Sequence, residues 1–139
     1  MIDSFMGKNR FLSNFHLHRD GKSVEHYFQA AKAVSIVDSV WVMNSDTPSE
    51  AKKRGRKVTM RPNWDLLRLD VMEHCLQRKF SDPELRQMLL DTGDEELVEG
   101  NYWNDTYWGV CNGIGENHLG KLLMKIRQEI RNATVDNSR

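Results

Sequence analysis

The chain has 139 residues, and its 20 lysines and arginines balance 20 aspartates and glutamates for a formal net charge of zero. That length fits one domain with a proper hydrophobic core. The balance excludes an overall field that would draw the chain to nucleic acid or an anionic membrane. No apolar run reaches the roughly 20 residues of a membrane span, and Met1-Ile2-Asp3 lacks the charged-then-apolar order of a signal peptide. Cys75 and Cys111 form no CxxC pair, so thiols in a cytoplasmic protein are the expectation.

In chain order, residues 9–15 are short and aromatic, which predicts a strand or extended piece ending at the turn-forming Asp20-Gly21. Ser23 is placed to cap a helix to about Val34, with Val24, Tyr27, Phe28, Ala31 and Val34 recurring at helical spacing toward the core. Thr47-Pro48-Ser49-Glu50 supplies an N-cap, a first-turn proline and a glutamate three residues after the cap, and Gly55 is placed to end that helix. A longer helix follows Asn63, with Trp64, Leu67, Val71 and Cys75 as one apolar row and Leu69, Met72, Leu76 and Phe80 as its neighbour. Ser81-Asp82-Pro83-Glu84 restarts a helix that Gly93 stops. Leu97-Val98 reads as a short strand, and a glycine- and asparagine-rich loop covers about 100–116. The last helix runs from about Asn117 to Arg131 with Leu119, Leu122, Leu123, Ile126 and Ile130 inward.

A loop as long as 100–116 is more often functional than not. Trp103 and Trp108 suit flat walls for a base or a sugar face. Asp105 suits meeting developing positive charge or activating a water. Gly109, Gly113 and Gly115 would let backbone approach a ligand and offer N–H groups to a phosphate. The plainer reading has the tryptophans plugging the core and Asp105 capping a turn. These glycines complete neither a dinucleotide fingerprint nor a P-loop.

A second candidate is the stripe Glu25, Gln29 and Lys32, which falls on one side of the first predicted helix. Taken alone it reads as a solvated face, with Glu25 welcome beside the helix dipole. The functional alternative makes Glu25 an acid/base and Lys32 a nucleophile or phosphate partner, its amine activated by desolvation. Weaker signals are His16-x-His18, which lacks a third ligand at metal-binding spacing, and the basic cluster Lys52, Lys53, Arg54, Arg56 and Lys57. Arg10 reads as a surface charge, with a phosphate clamp as the alternative.

Taken together, the segments resemble the NADAR (YbiA-like) family. The matching pieces are RFLSNF at 10–15, VEHYFQAAK at 24–32, TPxEAK at 47–52 with Gly55-Arg56, and RPxW at 61–64. They continue with Lys79-Phe80, Thr92-Gly93, LVE at 97–99, WxDxxWG at 103–109 and NxLGKLLM at 117–124 with Arg127. The resemblance implies an α+β, predominantly helical YbiA-like single domain with a few short strands over 1–131, and a flexible tail over 132–139.

It also implies N-glycosidic chemistry on ribosylated bases. Some relatives hydrolyse phosphoribosylamino-pyrimidine intermediates of riboflavin synthesis; others remove ADP-ribose from guanine, within NAD and ADP-ribose metabolism. The matching positions put Glu25, Lys32, Trp103, Asp105 and Trp108 at the site, with Arg10 and Asn14 contributing. Phe15, Gln29, Asn104 and Gly109 are expected beside them in substrate binding. Cleaving C1′–N builds oxocarbenium-like charge, which a carboxylate stabilises most in the transition state. A lysine can capture C1′ as an imine if the ribose ring opens.

The expectation is a hydrolase of ADP-ribosyl-guanine needing no metal or cofactor, with a small-molecule ADP-ribose or nucleotide-like substrate. ADP-ribosylated nucleic acid is a further candidate partner, no membrane is involved, and the oligomeric state stays open. Hydrolysis of the riboflavin intermediates, a non-catalytic ADP-ribose-binding module and a partner interface built on the aromatic loop are the alternatives.

Overall fold

A computed structural model describes residues 1–137, with side chains through residue 134. The fold is α+β and predominantly helical. Its elements are a 3-10 helix Gly7–Leu12, then α1 Val24–Lys32, α2 Ile36–Met43, α3 Pro48–Gly55, α4 Trp64–Lys79, α5 Pro83–Asp91, β1 Gly100–Asn101, β2 Val110–Cys111 and α6 His118–Asn137. Contacts divide the chain into two compact units. One is residues 14–75; the other joins residues 1–13 to the chain from Leu76 onward.

In the 14–75 unit, α1 packs on α2 and α3. Its cap is Ser23, whose hydroxyl accepts the N–H of His26 while the His26 ring accepts the N–H of Ser23. The helix stops at Lys32 rather than Val34. Ala33 turns extended and bridges Met60, and the Val34 N–H donates to Thr59 O, which leaves Val34 exposed instead of in the core. Ala30, Val42 and Ala51 form a buried centre with Met43 and Val58 against it, and Phe28 packs on Trp64 with ring centroids 5.2 Å apart. Helix α3 begins on the expected Thr47 cap, its Oγ1 accepting the Glu50 N–H at 3.1 Å. Helix α2 was not expected. Ser35 caps it, Val42 points inward, and Ile36, Val37 and Val40 stay exposed.

In the other unit, the expected strand at 9–15 is instead the 3-10 helix. Gly7 opens it at φ +58, and the Asn9 and Ser13 N–H groups bond back three residues to Met6 and Arg10. This winding buries the adjacent Phe11 and Leu12 together, whereas a strand would turn them to opposite faces. Helix α4 begins in the 14–75 unit and ends in this one; Trp64 of its first expected row is buried but Leu67 is exposed, while the second row supplies the buried Met72, Leu76 and, just past the helix, Phe80. Helix α5 starts on the Asp82 carboxylate, which accepts from Glu84 and Leu85 N–H, and the chain leaves it through Gly93 at φ +64. Leu97 makes a single parallel bridge to Ile2 in place of a strand. The expected 100–116 loop holds the short parallel pair β1–β2, registered Gly100 to Val110 and Asn101 to Cys111.

Helix α6 buries Leu119, Leu123 and Ile126 as expected, with Leu122 and Ile130 half-buried. It continues past Arg131 through Asn137. Of the tail expected over 132–139, residues 138–139 lie outside the described residues. Arg127 ties α6 to the turn after α5 by donating to Thr92 Oγ1 and Glu95 O. Both cysteines are thiols. Among the described residues no helix is long and apolar enough to cross a membrane.

Candidate active site

On α1, the stripe read as a solvated face is buried at its centre: Glu25 is 7% exposed and Gln29 9%, with Lys32 half-buried. Three helices packing together make this so, which no pattern on α1 alone reveals. Gln29 Nε2 donates to Glu25 Oε1 at 2.9 Å, one turn apart. The Glu25 N–H is an orphan donor of the helix start, and it is met by the Asn14 carbonyl at 3.1 Å. Asn14 donates its Nδ2 to the Met72 sulfur, and its Oδ1 is buried with no hydrogen-bond partner among the described residues. Phe15 is half-buried.

Burial lowers the affinity of the Lys32 amine for its proton. The Glu25 carboxylate pulls the other way, and the Arg56 guanidinium adds to the lowering. Arg61 closes the end of α1, its N–H donating to Lys32 O and its Nε to Ala31 O at 2.7 Å. His26, which sequence reasoning passed over, is fully buried, and its Nε2 lies 3.0 Å from Ser45 O. Thus Asn14, Glu25, Gln29 and Lys32 are brought together within the 14–75 unit.

The second cluster lies on the 99–109 segment of the other unit. Asp105 Oδ1 accepts the Tyr107 and Trp108 N–H groups at 3.2 and 2.9 Å, so the turn-capping reading describes this oxygen. Oδ2 lies outside those two bonds. Asn101 clasps the same residue, its Oδ1 accepting the Asp105 N–H and its Nδ2 donating to Asp105 O and to Glu99 Oε2. Gly109 is where Glu99 fits: a methyl group there would collide with the Glu99 carboxylate and carbonyl. Its lack of a side chain therefore serves packing inside this segment.

The carbonyls of Thr106, Tyr107, Trp108 and Gly109 accept the N–H groups of Glu116, His118, Leu119 and Asn117, respectively. Donors at the head of α6 are thereby taken by backbone. Trp103 is 45% exposed and meets Tyr102 edge-on at 5.0 Å, while Trp108 is half-buried with its ring edge-on to Tyr107 at 4.8 Å. Neither tryptophan is a fully buried plug. Asn104 sits exposed at φ +66, and Arg10 is exposed on the 3-10 helix.

Sequence reasoning assigned no role to Asn101, Glu99 or Asn117. The signal available was the density of asparagine in this stretch, since Asn104, Asn112 and Asn117 all hold the left-handed backbone that this residue tolerates.

A protein-family model described as the NADAR domain matches residues 5–131. The chain is 44% identical over 117 residues to the N-glycosidase Npun_R5314 of Nostoc punctiforme, covering 79% of this chain and 74% of that protein. It is 38% identical over 124 residues to a riboflavin biosynthesis protein of Zea mays, the chloroplastic PYRR, covering 78% of this chain and 19% of that one. The solved structure of the Escherichia coli protein YbiA matches with a TM-score of 0.82 at 33% identity, covering 97% of this chain and 89% of YbiA. The chain belongs to the NADAR family.

Proposed function

We propose that this protein is an N-glycosidase that hydrolyses the ribose C1′–N bond of a ribosylated base, with ADP-ribosyl-guanine as its substrate. The observation that carries the reading is the pairing, on one helix, of a buried carboxylate with an amine whose proton affinity is lowered by burial. The N-glycosidase name of the Nostoc relative supports the same chemistry. A half-buried lysine that gives up its proton more readily is the form in which an amine attacks carbon.

In this reading Glu25 moves the proton. It delivers one to the departing base nitrogen as C1′–N breaks, then takes one from the water whose oxygen joins C1′. Where the ribose ring opens, Lys32 Nζ bonds to C1′, the base leaves with a proton, and water later hydrolyses the imine to return aldehyde and amine. The family resemblance adds Asp105, Trp103 and Trp108 of the other unit, with stabilisation of positive charge and stacking on a base as their proposed roles.

A second reading takes a phosphoribosylamino-pyrimidine as substrate, and the name of the maize relative favours it. Hydrolysis of ADP-ribosylated guanosine, ADP-ribosylated DNA and phosphoribosylamino-pyrimidine, assayed side by side with borohydride present, separates the readings. The expected result is release of ADP-ribose with recovery of unmodified guanosine or DNA, at least about a hundredfold slower in Glu25→Gln, with a reduced adduct on Lys32. Release from the pyrimidine alone selects the second reading. Tight binding of ADP-ribose with no turnover on any of the three overturns the enzyme assignment in favour of a binding module.

A further inference from the structure

Gln29 has one end of its carboxamide committed and the other end walled in. Nε2 donates to Glu25 Oε1 at 2.9 Å, while Oε1 is buried with no hydrogen-bond partner among the described residues. A buried acceptor without a donor is costly, so the amide is not held in place by its oxygen.

What borders that oxygen is Gly55, the last residue of α3. A methyl group there would collide with Gln29 Oε1 and lie 2.6 Å from Cδ and 3.0 Å from Cβ. Gly55 ends a helix in ordinary backbone geometry, without the positive φ that forces glycine at Gly93. Its missing side chain therefore answers to the space Gln29 needs, not to the backbone of α3.

We propose that Gln29 is a positioning residue for Glu25, and that Gly55 is the seat that keeps its carboxamide aimed at the carboxylate; the assignment rests on the N-glycosidase reading above. The Glu25 backbone is tethered separately, by its N–H to Asn14 O. The Gln29 bond, by contrast, acts on the carboxylate itself and selects its rotamer. Gln29, expected to bind substrate, acts instead through Glu25.

The experiment compares Gln29→Met, which keeps the volume and removes the donor, with Gly55→Ala, which keeps Gln29 and displaces it. ADP-ribosylated guanosine and phosphoribosylamino-pyrimidine serve as substrates, with Glu25→Gln alongside and a thermal melt of each variant. Both variants are expected to lower kcat by roughly tenfold to a hundredfold with KM within about twofold, as misplacing a reacting group does. The double variant Gln29→Ala with Gly55→Ala is expected to lie close to Gln29→Ala alone, because Oε1 and Cδ are then gone and only the 3.0 Å approach to Cβ remains.

Should Gln29→Met fail to fold, Gly55→Ala carries the comparison, since alanine is the better helix former and the site it crowds is a side chain. Wild-type kcat in a folded Gly55→Ala, or equal losses for Gly55→Ala with and without Gln29, overturns the assignment while leaving Glu25 as the acid/base. Full turnover in Glu25→Gln overturns both.

Discussion

The Lys79 amine donates to the Ser13 carbonyl over 2.9 Å from a position where the lysine is only 2% exposed. Burial drives its pKa from 10.5 down to about 7, with the Phe80 ring 5.2 Å away offering partial compensation. Between those two values the unfolded chain holds a proton that the folded chain has released. Stability therefore rises with pH across that window, and below about pH 7 the burial penalty is full. Lys79→Met is expected to flatten this slope, by an amount on the order of a few kcal/mol between pH 7 and 10. Urea melts at several pH values check it; an unchanged slope in the variant would assign the pH dependence elsewhere.

Asp105 separates structure from chemistry because its Oδ1 already accepts two backbone N–H groups. Asparagine keeps that acceptor, so Asp105→Asn is expected to hold stability within about 0.5 kcal/mol while removing the charge the proposed reaction uses. Turnover should fall at least about a hundredfold. Alanine leaves both N–H groups without their side-chain acceptor, and Asp105→Ala is expected to cost about 1 kcal/mol in addition. Equal turnover in Asp105→Asn and wild type would reduce this aspartate to a turn cap.

What the sequence made legible here was local. Helices α3 and α5 start where Thr47 and Asp82 say they should, because an N-cap and a proline act within one turn. Helix α2 was hidden because Ile36, Val37 and Val40 face outward, so apolar spacing carries no core signal there. The burial of Glu25 and Gln29 was hidden for the opposite reason: polar residues at helical spacing read as solvated until α2 and α3 are laid against α1. Loop composition and the family motif singled out Asp105 and the tryptophans of the second cluster as candidates. Neither could find their supports, since Asn101 and Asn117 work through hydrogen bonds to backbone rather than through a recognisable spacing.

His26 is such a support. Its Nδ1 accepts the Ser23 N–H at 3.1 Å, so the ring proton sits on Nε2 and is donated to Ser45 O at 3.0 Å. The bond joins the start of α1 to the chain just beyond α2. Nitrogen-15 NMR is expected to show the Nε2–H tautomer, and His26→Ala to cost about 2–4 kcal/mol through a cavity and an unmatched carbonyl. A ring protonated on Nδ1 instead would contradict the cap.

In α6, Gly120 inverts an ordinary rule. Glycine to alanine inside a helix normally stabilises by up to about 1 kcal/mol. A methyl group on Gly120, however, would collide with Leu97 O and fall 2.5 and 2.6 Å from the two amide atoms of Asn117. That amide is itself engaged, accepting the Glu99 N–H and donating to Leu97 O, each at 3.0 Å. The helix start is thus held against the 97–99 segment at a distance only glycine allows. Gly120→Ala is expected to destabilise by about 1–3 kcal/mol, measured by chemical denaturation. Truncating Asn117 in the same chain should relieve only part of the strain, because the Leu97 carbonyl is backbone and cannot swing aside. A Gly120→Ala protein more stable than wild type would mean that the 97–99 segment yields to the helix, and the Asn101–Asp105 clasp beyond it would then be expected to loosen with it.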